Sequence, residues 1–207
     1  MSKKSRLRTF DLPKQPAEER IHNNREVNLT LTPEHAMAEA DRCIGCSKPA
    51  CSIKGCPLHN HIRDWIILTS EGRFAEAAIL SNQTSNMPEI CSRLCPQERL
   101  CEGACVVGIK GDSVAIGAIE RFINAYAREH GGIPRAERKP ATGKRIAVVG
   151  AGPAGMAVAD ECAKEGHDVV MFDIWPKPGG LLRYGIPCFK IEKHIVDEKF
   201  AYLSQLG

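Results

Sequence analysis

The sequence is poor in aromatic residues, has no long apolar run and carries no large excess of charge of either sign. Aromatic residues make up 5% of the 207 residues, which argues against a surface on which nucleic-acid bases stack. The net charge is only +3, which does not favour nucleic-acid binding. No run approaches the ~18–20 apolar residues of a membrane span, and residues 1–31 lack the apolar centre of a signal peptide. We therefore expect a cytoplasmic protein, in which thiols stay reduced, with no nucleic-acid partner and no membrane span.

Cysteine is the residue type that is abundant. Eight of the ten cysteines lie in the 63 residues from Cys43 to Cys105, while Cys162 and Cys188 lie in a different kind of sequence. Dense soft thiolates select zinc, copper(I) or iron–sulfur clusters. Cys-x2-Cys followed closely by further cysteines and by Cys-Pro is typical of iron–sulfur loops. The pattern favours iron–sulfur clusters, and a structural zinc protein is the alternative.

The half of the chain that carries these cysteines is predicted to be helical. Thr32, Pro33 and Glu34 form a helix start, because threonine caps, proline suits the first position and an acid suits the first turn. Apolar periodicity predicts helices over 33–42, 60–69, 72–81 and 114–130. Residues 86–105 are rich in proline, cysteine and glycine and are expected to be irregular. The side chains expected to face inward are Ile62, Trp65, Ile66, Leu68, Phe74, Ala77, Ala78, Leu80, Ile116, Ile119, Phe122, Ile123 and Tyr126.

Composition suggests four parts. Residues 1–31 form an N-terminal arm, either a partner-docking segment or a loosely ordered terminus wrapped on the surface. Residues 32–130 form the helical domain. Residues 131–143 are a linker, because glycine, proline and charged residues dominate them. Residues 144–207 begin a second domain of another class.

That second domain begins with a nucleotide-binding pattern. Residues 144–149 are predicted to be a buried parallel strand, followed at once by Gly150-Ala-Gly-Pro-Ala-Gly155 and a helix over 154–165 that ends at Gly166. A second strand, 168–173, ends in Asp173, and a last helix follows over 191–206. A GxGxxG between strand and helix, with an acid after the next strand, is typical of dinucleotide binding. The alternative is a βαβ unit whose glycines serve packing alone.

Each glycine has an expected role. Gly150 permits the tight turn, Gly152 lets the backbone approach a pyrophosphate, and Gly155 lets helix and strand pack closely. The helix N-terminus supplies donors to phosphate, and Asp173 accepts from ribose hydroxyls. The motif alone does not choose between FAD and NAD(P). A doubly wound sheet has five or six strands, and residues 144–207 supply two, so we expect a further segment or another chain to complete it.

With both motifs described, the chain resembles the small (beta) subunits of NADPH-dependent glutamate synthases and the similar N-terminal part of dihydropyrimidine dehydrogenase. The resemblance runs from about residue 33 to the end. The matching stretches are Cys43–Cys46, Cys51, Cys56–Asn60, Pro88-Glu89, Cys95-Pro96, Cys101–Cys105, Ile116–Glu120, Gly150–Gly155 and Gly179–Pro187.

The resemblance implies an α + α/β architecture, in which a helical domain with two [4Fe–4S] clusters precedes the start of a Rossmann-like FAD domain, incomplete in this chain. One cluster would be held by Cys43, Cys46, Cys51 and Cys105. The other would be held by Cys56, Cys95, Cys101 and a non-cysteine ligand, Glu120, for which the alternative is an acid on a helix surface. Cys91 is then a spare thiol, a small buried hydrophobe or a group behind the ligands. Cys162 is interpreted as a core residue of its helix. Cys188, near the expected flavin, is interpreted as structural, with a redox role as the alternative.

The same resemblance implies the FAD contacts and the reaction. The implied FAD-binding residues are Gly150, Gly152, Pro153, Ala154, Gly155, Asp173, Gly180, Leu181 and Arg183. Electrons would pass from NADPH to FAD and through the clusters to a larger partner subunit, and no catalytic acid, base or nucleophile is required. His59 and His61 are expected to pack near a cluster rather than bind it. The alternative is an iron–sulfur electron-transfer module without NAD(P)H activity of its own.

Three departures from the family pattern bear on these expectations. Four residues separate Cys51 from Cys56 where the family usually has three, so that loop must bulge. Asp173 stands where glutamate is commoner, and its shorter side chain would reach ribose through water. The chain ends before any second GxGxxG, so the NADPH site and the second half of the FAD domain are expected outside it. The isolated chain is therefore expected to lack NADPH-oxidising activity.

Overall fold

The computed structural model describes residues 7–132 and 137–206, which divide into two compact units. The described part of the first unit comprises residues 7–15 and 28–132. The second comprises residues 16–27 and 137–206. The N-terminal stretch predicted as one arm is therefore divided between the two units.

The first unit is helical. Its α-helices are α2 Pro33–Asp41, α3 Ile62–Ser70, α4 Phe74–Asn82, α5 Pro88–Leu94 and α6 Ile116–Glu129. Cys51–Gly55 forms a single π-helical turn, and Gln97–Arg99 and Val106–Ile109 form 3₁₀ turns. The prediction that residues 86–105 are irregular was wrong for α5. Pro88 occupies the first turn of that helix. Proline is tolerated there because the backbone N–H that it lacks would have no hydrogen-bond partner within the helix.

The predicted apolar faces form the core of this unit. Trp65, Ile119 and Ile123 are almost fully buried, and Phe74 packs edge-on against Phe122 with ring centroids 4.9 Å apart. The Trp65 indole donates to Asn60 Oδ1 at 2.8 Å, so its one polar atom is satisfied. Leu68, Leu80 and Tyr126 are only partly buried and pack at the edge of the core. Thr32 Oγ1 accepts from His35 N at 3.2 Å, so the predicted cap of α2 is confirmed.

Residues 7–15 are fixed to this helical unit by a buried ion network. Arg8 contacts the Glu39 carboxylate at 3.2 Å, and Arg42 contacts it from the other side at 2.5 Å. Glu39 also accepts from Ala115 N at 2.8 Å. Glu39 is fully buried, so its charge depends on these partners. The network joins α2 to the segment that begins α6.

The second unit contains two parallel strands and the helix that connects them. Strands β1 Arg145–Val149 and β2 Asp168–Phe172 pair from Arg145 opposite Asp168 to Val149 opposite Phe172. Helix α7 Pro153–Lys164 forms the crossover, and Gly166, with φ +87°, follows it. The prediction that β1 is buried was wrong, since Val148 is its one buried residue and Val149 is 88% exposed. A pair of strands leaves both outer edges without a neighbour in the described part of this unit.

Three further helices belong to the second unit. They are α1 Ala17–Arg20, α8 Leu181–Tyr184 and α9 Lys193–Leu206. Helix α9 packs against α7, where the buried Asp160 carboxylate contacts Lys199 at 2.5 Å and Lys164 at 3.0 Å. Residues 16–27 are joined to residues 186–192 because Glu26 Oε1 accepts from Glu192 N at 2.9 Å. Over residues 7–132 and 137–206, no helix is both long enough and apolar enough to cross a membrane.

Candidate iron–sulfur and dinucleotide sites

Four of the predicted ligands line one small cavity of about 20 Å³ in the helical unit. These are Cys43, Cys46, Cys51 and Cys105. Cys43 lies two residues after the end of α2, and its backbone N–H donates to Ala40 O at 3.0 Å. Burial, together with the neighbouring thiols of Cys105 and Cys43, raises the pKa of the Cys51 thiol to about 11. The cavity thus brings together three thiols that are close in sequence and one that lies more than fifty residues away.

Arg63 is a neighbour of this cavity that the sequence analysis did not single out. It lines the cavity, and its Nη1 donates to the carbonyl oxygen of Cys46 at 3.2 Å. A guanidinium beside several thiols favours their anionic form. Its place one residue into the helix that follows Cys56-Pro57 was the only available signal in the sequence.

The expected bulge between Cys51 and Cys56 takes the form of the π-helical turn. Cys56 N donates to Cys51 O at 2.8 Å, an i to i+5 bond that accommodates the extra residue. Gly55, the last residue of this turn, packs against the backbone of Leu100 and Cys101. A Cβ on Gly55 would lie 2.7 Å from Cys101 Cα and 2.8 Å from Leu100 O. The absence of a side chain at residue 55 therefore permits the first cysteine loop to touch the segment that carries Cys101.

The other four predicted ligands are linked by pairwise electrostatic influences, between Glu120 and Cys95, Glu120 and Cys101, and Cys101 and Cys56. Cys95 follows α5, and Glu120 lies on the second turn of α6. The pKa of the Cys101 thiol is raised mainly by burial, and further by the nearby side chains of Glu102, Glu120 and Cys56. Burial raises the pKa of the Glu120 carboxyl to about 8, with Cys95 the next contributor. Glu120 is therefore an electrostatic neighbour of Cys95 and Cys101, and its side chain is only partly exposed.

The Glu120 carboxylate has no hydrogen-bond or ion-pair partner among the residues that the structure describes. Its backbone oxygen accepts from Asn124 Nδ2 at 2.8 Å, but that bond leaves the side chain free. A partly exposed acid beside thiols, without a cation, is electrostatically unfavourable. The chemistry of this donor set, three thiols and one carboxylate, would be satisfied by a cationic iron centre.

Cys91 lies one helical turn before Cys95 and contacts this second set. Its thiol hydrogen-bonds with Cys95, which raises the pKa of Cys91 and lowers the pKa of Cys95 to about 7. Ser85 Oγ lies 4.0 Å from Cys91 Sγ. Cys91 is therefore a neighbour of the predicted ligand Cys95, which agrees with one of the roles that the sequence left open. Cys162 is partly buried on α7, and Cys188 is exposed.

The two histidines near Cys56 differ in their surroundings. His59 has φ +50°, and its Nδ1 lies 3.3 Å from Ser52 O. His61 is exposed at the start of α3. In the described ranges, no three His, Cys, Asp or Glu side chains converge closely enough to hold a single metal ion. A cubane cluster places its ligands on separate irons.

The glycine motif of the second unit lies between β1 and α7. Gly150 has φ +100°, as its tight turn requires. A Cβ on Gly155 would lie 1.9 Å from Gly150 O, so close packing excludes a side chain there. A Cβ on Gly152 would touch only Gly180 Cα, at 3.8 Å. Packing within the described residues therefore does not require glycine at residue 152. Pro153 and Ala154 form the first turn of α7.

Asp173 is bonded to the glycine loop. Its carboxylate accepts from Trp175 N at 2.9 Å and from Ala151 N at 2.6 Å, and these bonds lower its pKa. Ala151 O in turn accepts from Gly179 N at 2.8 Å. The acid that was predicted to contact ribose thus also fixes the loop that would contact the phosphates.

The remaining predicted cofactor residues follow this loop. Gly180 lies against Gly152, because a Cβ on Gly180 would be 2.8 Å from Gly152 Cα. Leu181 is 64% exposed at the start of α8. Arg183 donates to Pro178 O at 2.7 Å and pairs with Asp197 of α9. The Arg183 guanidinium is therefore engaged within the protein, unlike the two glycines, which face each other across the loop.

A cleft of about 470 Å³ opens beside these residues. It lies between β2, α7 and α9, and Asp173 and Trp175 stand at one end of it with Ala151 and Pro178. Trp175 is 56% exposed and stacks on Tyr184, with ring centroids 4.8 Å apart. Trp175 is not among the residues predicted for the site from the sequence, although its position two residues after the predicted ribose acid is a signal that the sequence contains.

Comparison with known families assigns each half of the chain. Residues 20–132 match the family described as dihydropyrimidine dehydrogenase domain II, 4Fe-4S cluster. Residues 148–197 match the NAD(P)-binding Rossmann-like domain. The expectation of a helical iron–sulfur region followed by a Rossmann-like region is therefore confirmed.

Individual relatives extend over nearly all of the chain. It is 44% identical to the glutamate synthase [NADPH] small chain of Escherichia coli (strain K12) over 201 residues, 97% of this chain and 42% of that protein. It is 43% identical to the corresponding small chain of Azospirillum brasilense, over 94% of this chain and 40% of that protein. It is 42% identical to the putative oxidoreductase UacF of Escherichia coli (strain K12), over 92% of this chain and 30% of that protein.

These comparisons confirm the resemblance to glutamate synthase small chains and show how much of those relatives the chain covers. The chain spans less than half the length of these relatives. The family match, in contrast, covers more than half of the chain and includes all eight clustered cysteines. The chain therefore belongs to the dihydropyrimidine dehydrogenase domain II, 4Fe-4S cluster family, and glutamate synthase small chains are among its homologues.

Proposed function

We propose that this chain is the electron-input part of an NAD(P)H-dependent flavin and iron–sulfur oxidoreductase similar to glutamate synthase. Electrons would pass from NAD(P)H to FAD, then through two [4Fe–4S] clusters to a larger partner subunit. The observation that carries the proposal is the small cavity lined by four of the predicted cysteine ligands, in a chain that also contains a glycine loop between a strand and a helix.

The first cluster would be held by Cys43, Cys46, Cys51 and Cys105. Their shared cavity supports this assignment, because one small volume is lined by four thiols from two separate segments. Metal coordination deprotonates thiols outright, which removes the cost that burial imposes on the Cys51 thiolate. Arg63 would offset part of the negative charge of the cluster and its thiolates.

The second cluster would be held by Cys56, Cys95, Cys101 and Glu120. The partnerless carboxylate of Glu120 supports this assignment more directly than spacing does. A carboxylate beside Cys95 and Cys101 that gains no cation from the described residues is electrostatically unfavourable there. Coordination to iron would supply the missing positive charge.

The glycine loop, the N-terminus of α7 and the Gly180 segment would hold the FAD pyrophosphate. FAD accepts two electrons as hydride and releases them singly, and the clusters conduct single electrons. Gly152 and Gly180 would keep the backbone open to the phosphates, while Asp173 would hold Ala151 and offer its free lone pairs to ribose. The Rossmann-like match carries an NAD(P)-binding description, and the choice of FAD rests on the resemblance to glutamate synthase small chains. The NADPH site would lie outside this chain, and a cytoplasmic location fits its ten free cysteines.

The first experiment is the iron, sulfide and flavin content of the chain purified without oxygen. We expect about eight iron and eight sulfide per chain, because two cubane clusters contain that number. Zinc without sulfide would contradict the electron-transfer proposal and favour a structural zinc protein. Flavin in the same preparation would mean that this part of the domain suffices to bind FAD, and its absence would mean that a further segment completes the site.

Glu120→Ala tests the unusual ligand. We expect about four iron per chain in place of about eight, because one of the four ligands of the second cluster is lost. Glu129→Ala is the matched control, since Glu129 lies on the same helix and is exposed. Full iron content in the Glu120 variant would refute the ligand assignment while leaving the first cluster in place.

The second candidate is an iron–sulfur electron-transfer module that has no NAD(P)H activity of its own. The single GxGxxG in the sequence favours it for the chain taken alone. Anaerobic NADPH oxidation with a dye acceptor separates the two candidates. We expect no turnover by the isolated chain, and measurable turnover would show that the chain contains a complete hydride-accepting site.

A further inference from the structure

The end of β2 carries an exposed aromatic pair that the proposed electron route does not use. The rings of Trp175 and Tyr184 stack at 4.8 Å with planes 29° apart. Trp175 is 56% exposed and Tyr184 is 45% exposed. A tryptophan recruited for packing buries most of its large apolar surface, whereas this one keeps half of its surface in solvent.

Hydrogen bonds hold the Tyr184 ring and the backbone at Trp175, and the indole stacks on the Tyr184 ring. Asp173 Oδ1 accepts from the Trp175 backbone N–H at 2.9 Å. The Tyr184 hydroxyl accepts from Lys177 N and donates to Lys177 O, both at 3.2 Å. Tyr184 therefore packs on one face of the indole, and its hydroxyl also holds the loop that contains Trp175. A pre-positioned ring loses little freedom when a ligand contacts it.

The position of the indole relative to the glycine loop suggests what it contacts. Asp173 accepts from Trp175 N with one oxygen and from Ala151 N with the other. Trp175 and Asp173 also line the same 470 Å³ cleft. A nucleotide whose phosphates lie at the glycine loop and whose ribose lies at Asp173 carries its base next, at the place where Trp175 stands.

We propose that Trp175 is the aromatic contact for the adenine of the bound dinucleotide, with Tyr184 supporting the indole from its other face. This inference rests on the proposed dinucleotide function of the glycine loop. It adds a base-binding residue and predicts that the adenosine half of the ligand supplies much of the affinity. The shared chemistry is an adenosine diphosphate group, which both FAD and NADPH contain.

ADP is the probe, because it carries the adenosine and the diphosphate but no flavin or nicotinamide. The chain has two tryptophans, and Trp65 is 1% exposed in the helical core. Quenching of tryptophan emission by ADP would therefore report on Trp175. Base–aromatic stacking is typically lost on alanine substitution with a weakening of about 5- to 150-fold, and we expect Trp175→Ala to weaken ADP binding within that range.

Trp175→Phe separates the stacking role from a structural one. We expect it to keep near-native ADP affinity by equilibrium dialysis while abolishing the fluorescence quench. Ile174→Ala is the matched control, since Ile174 is the adjacent residue, is 94% exposed and stands outside the stack. Riboflavin 5′-phosphate, which lacks adenosine, should bind the alanine variant and the unaltered chain equally. Competition of FAD and of NADPH against ADP identifies which dinucleotide the site takes.

Two results would overturn the inference, and they differ in scope. Equal ADP affinity of Trp175→Ala and the unaltered chain would remove Trp175 from the site but leave the nucleotide function standing. An unaltered chain that binds none of ADP, FAD or NADPH would remove both the inference and the dinucleotide site on which it rests. Iron content of each variant shows whether the helical unit remains intact.

Discussion

Gly55 is the residue at which the close approach of two cysteine segments can be tested most directly. Alanine at this position places a Cβ 2.7 Å from Cys101 Cα, 2.8 Å from Leu100 O and 3.0 Å from Ala104 Cβ. Ordinary contact begins at 3.4 Å, so the two backbone segments would have to separate by about 0.7 Å. Because two of the three obstacles are backbone atoms, no side-chain rotation relieves the crowding.

The expected cost follows from this geometry. Overpacking of a close-packed site typically costs about 1–3 kcal/mol, which lowers the melting temperature by several degrees. Gly55 lies between Cys51 and Cys56, which belong to the two different proposed ligand sets. We therefore expect Gly55→Ala to reduce the iron and sulfide content of both clusters, measured per chain after anaerobic purification.

Gly45→Ala is the control in the same cysteine region. Its Cβ would meet nothing within 4 Å, although its φ of +62° imposes backbone strain of about 1–2 kcal/mol. The control should therefore lose some stability but retain full iron and sulfide. Unchanged melting and full iron content in Gly55→Ala would refute the close approach of residues 51–56 to residues 100–104.

Three further predictions follow from single residues. Cys46→Ser should halve the iron content and destabilise the helical unit, because cluster binding contributes to folding; unchanged iron and melting would contradict this. Gly152→Ala should leave the fold intact and weaken ADP binding. Gly155→Ala should destabilise the second unit, because its Cβ would lie 1.9 Å from Gly150 O. Equal melting temperatures of the two variants would contradict this difference between the two glycines. Asp160→Ala should lower the free energy of unfolding by about 1.5–3 kcal/mol, because it removes the shared partner of two partly buried lysines. Glu161→Ala alters an exposed pair and should cost less than about 1 kcal/mol. Chemical denaturation measures both.

Local signals in the sequence predicted most of the elements. The Thr32 cap and Pro33 fixed the start of α2. The apolar period of residues 114–130 predicted α6 to within two residues. The strand, glycine loop and helix around Gly150 appeared as expected. The local signal misled at residues 88–94, where cysteine and proline suggested a loop, because a proline in the first turn and packing on α6 both permit a helix.

Burial in the second unit could not be predicted from composition alone. The apolar residues of β1 have the composition of a strand covered on both faces, yet Val149 is 88% exposed. A strand is buried only when other elements pack on both of its faces. An apolar composition suits such packing but does not show that those elements are present. Trp175 illustrates the same limit, because the sequence shows an aromatic residue but not the stacking and exposure that make it a candidate base contact.

The sequence by itself determined the chemistry of this protein: eight clustered thiols, one glycine loop between strand and helix, and an acid after the next strand. It did not determine from spacing which thiols meet. Only the tertiary structure brings Cys105 to the cavity of Cys43, Cys46 and Cys51, and carries Glu120 to the other thiols. The physical reason is that short loops fix neighbours within a few residues, whereas the positions of the predicted ligands in residues 100–120 depend on the packing of α6 against α2 to α5.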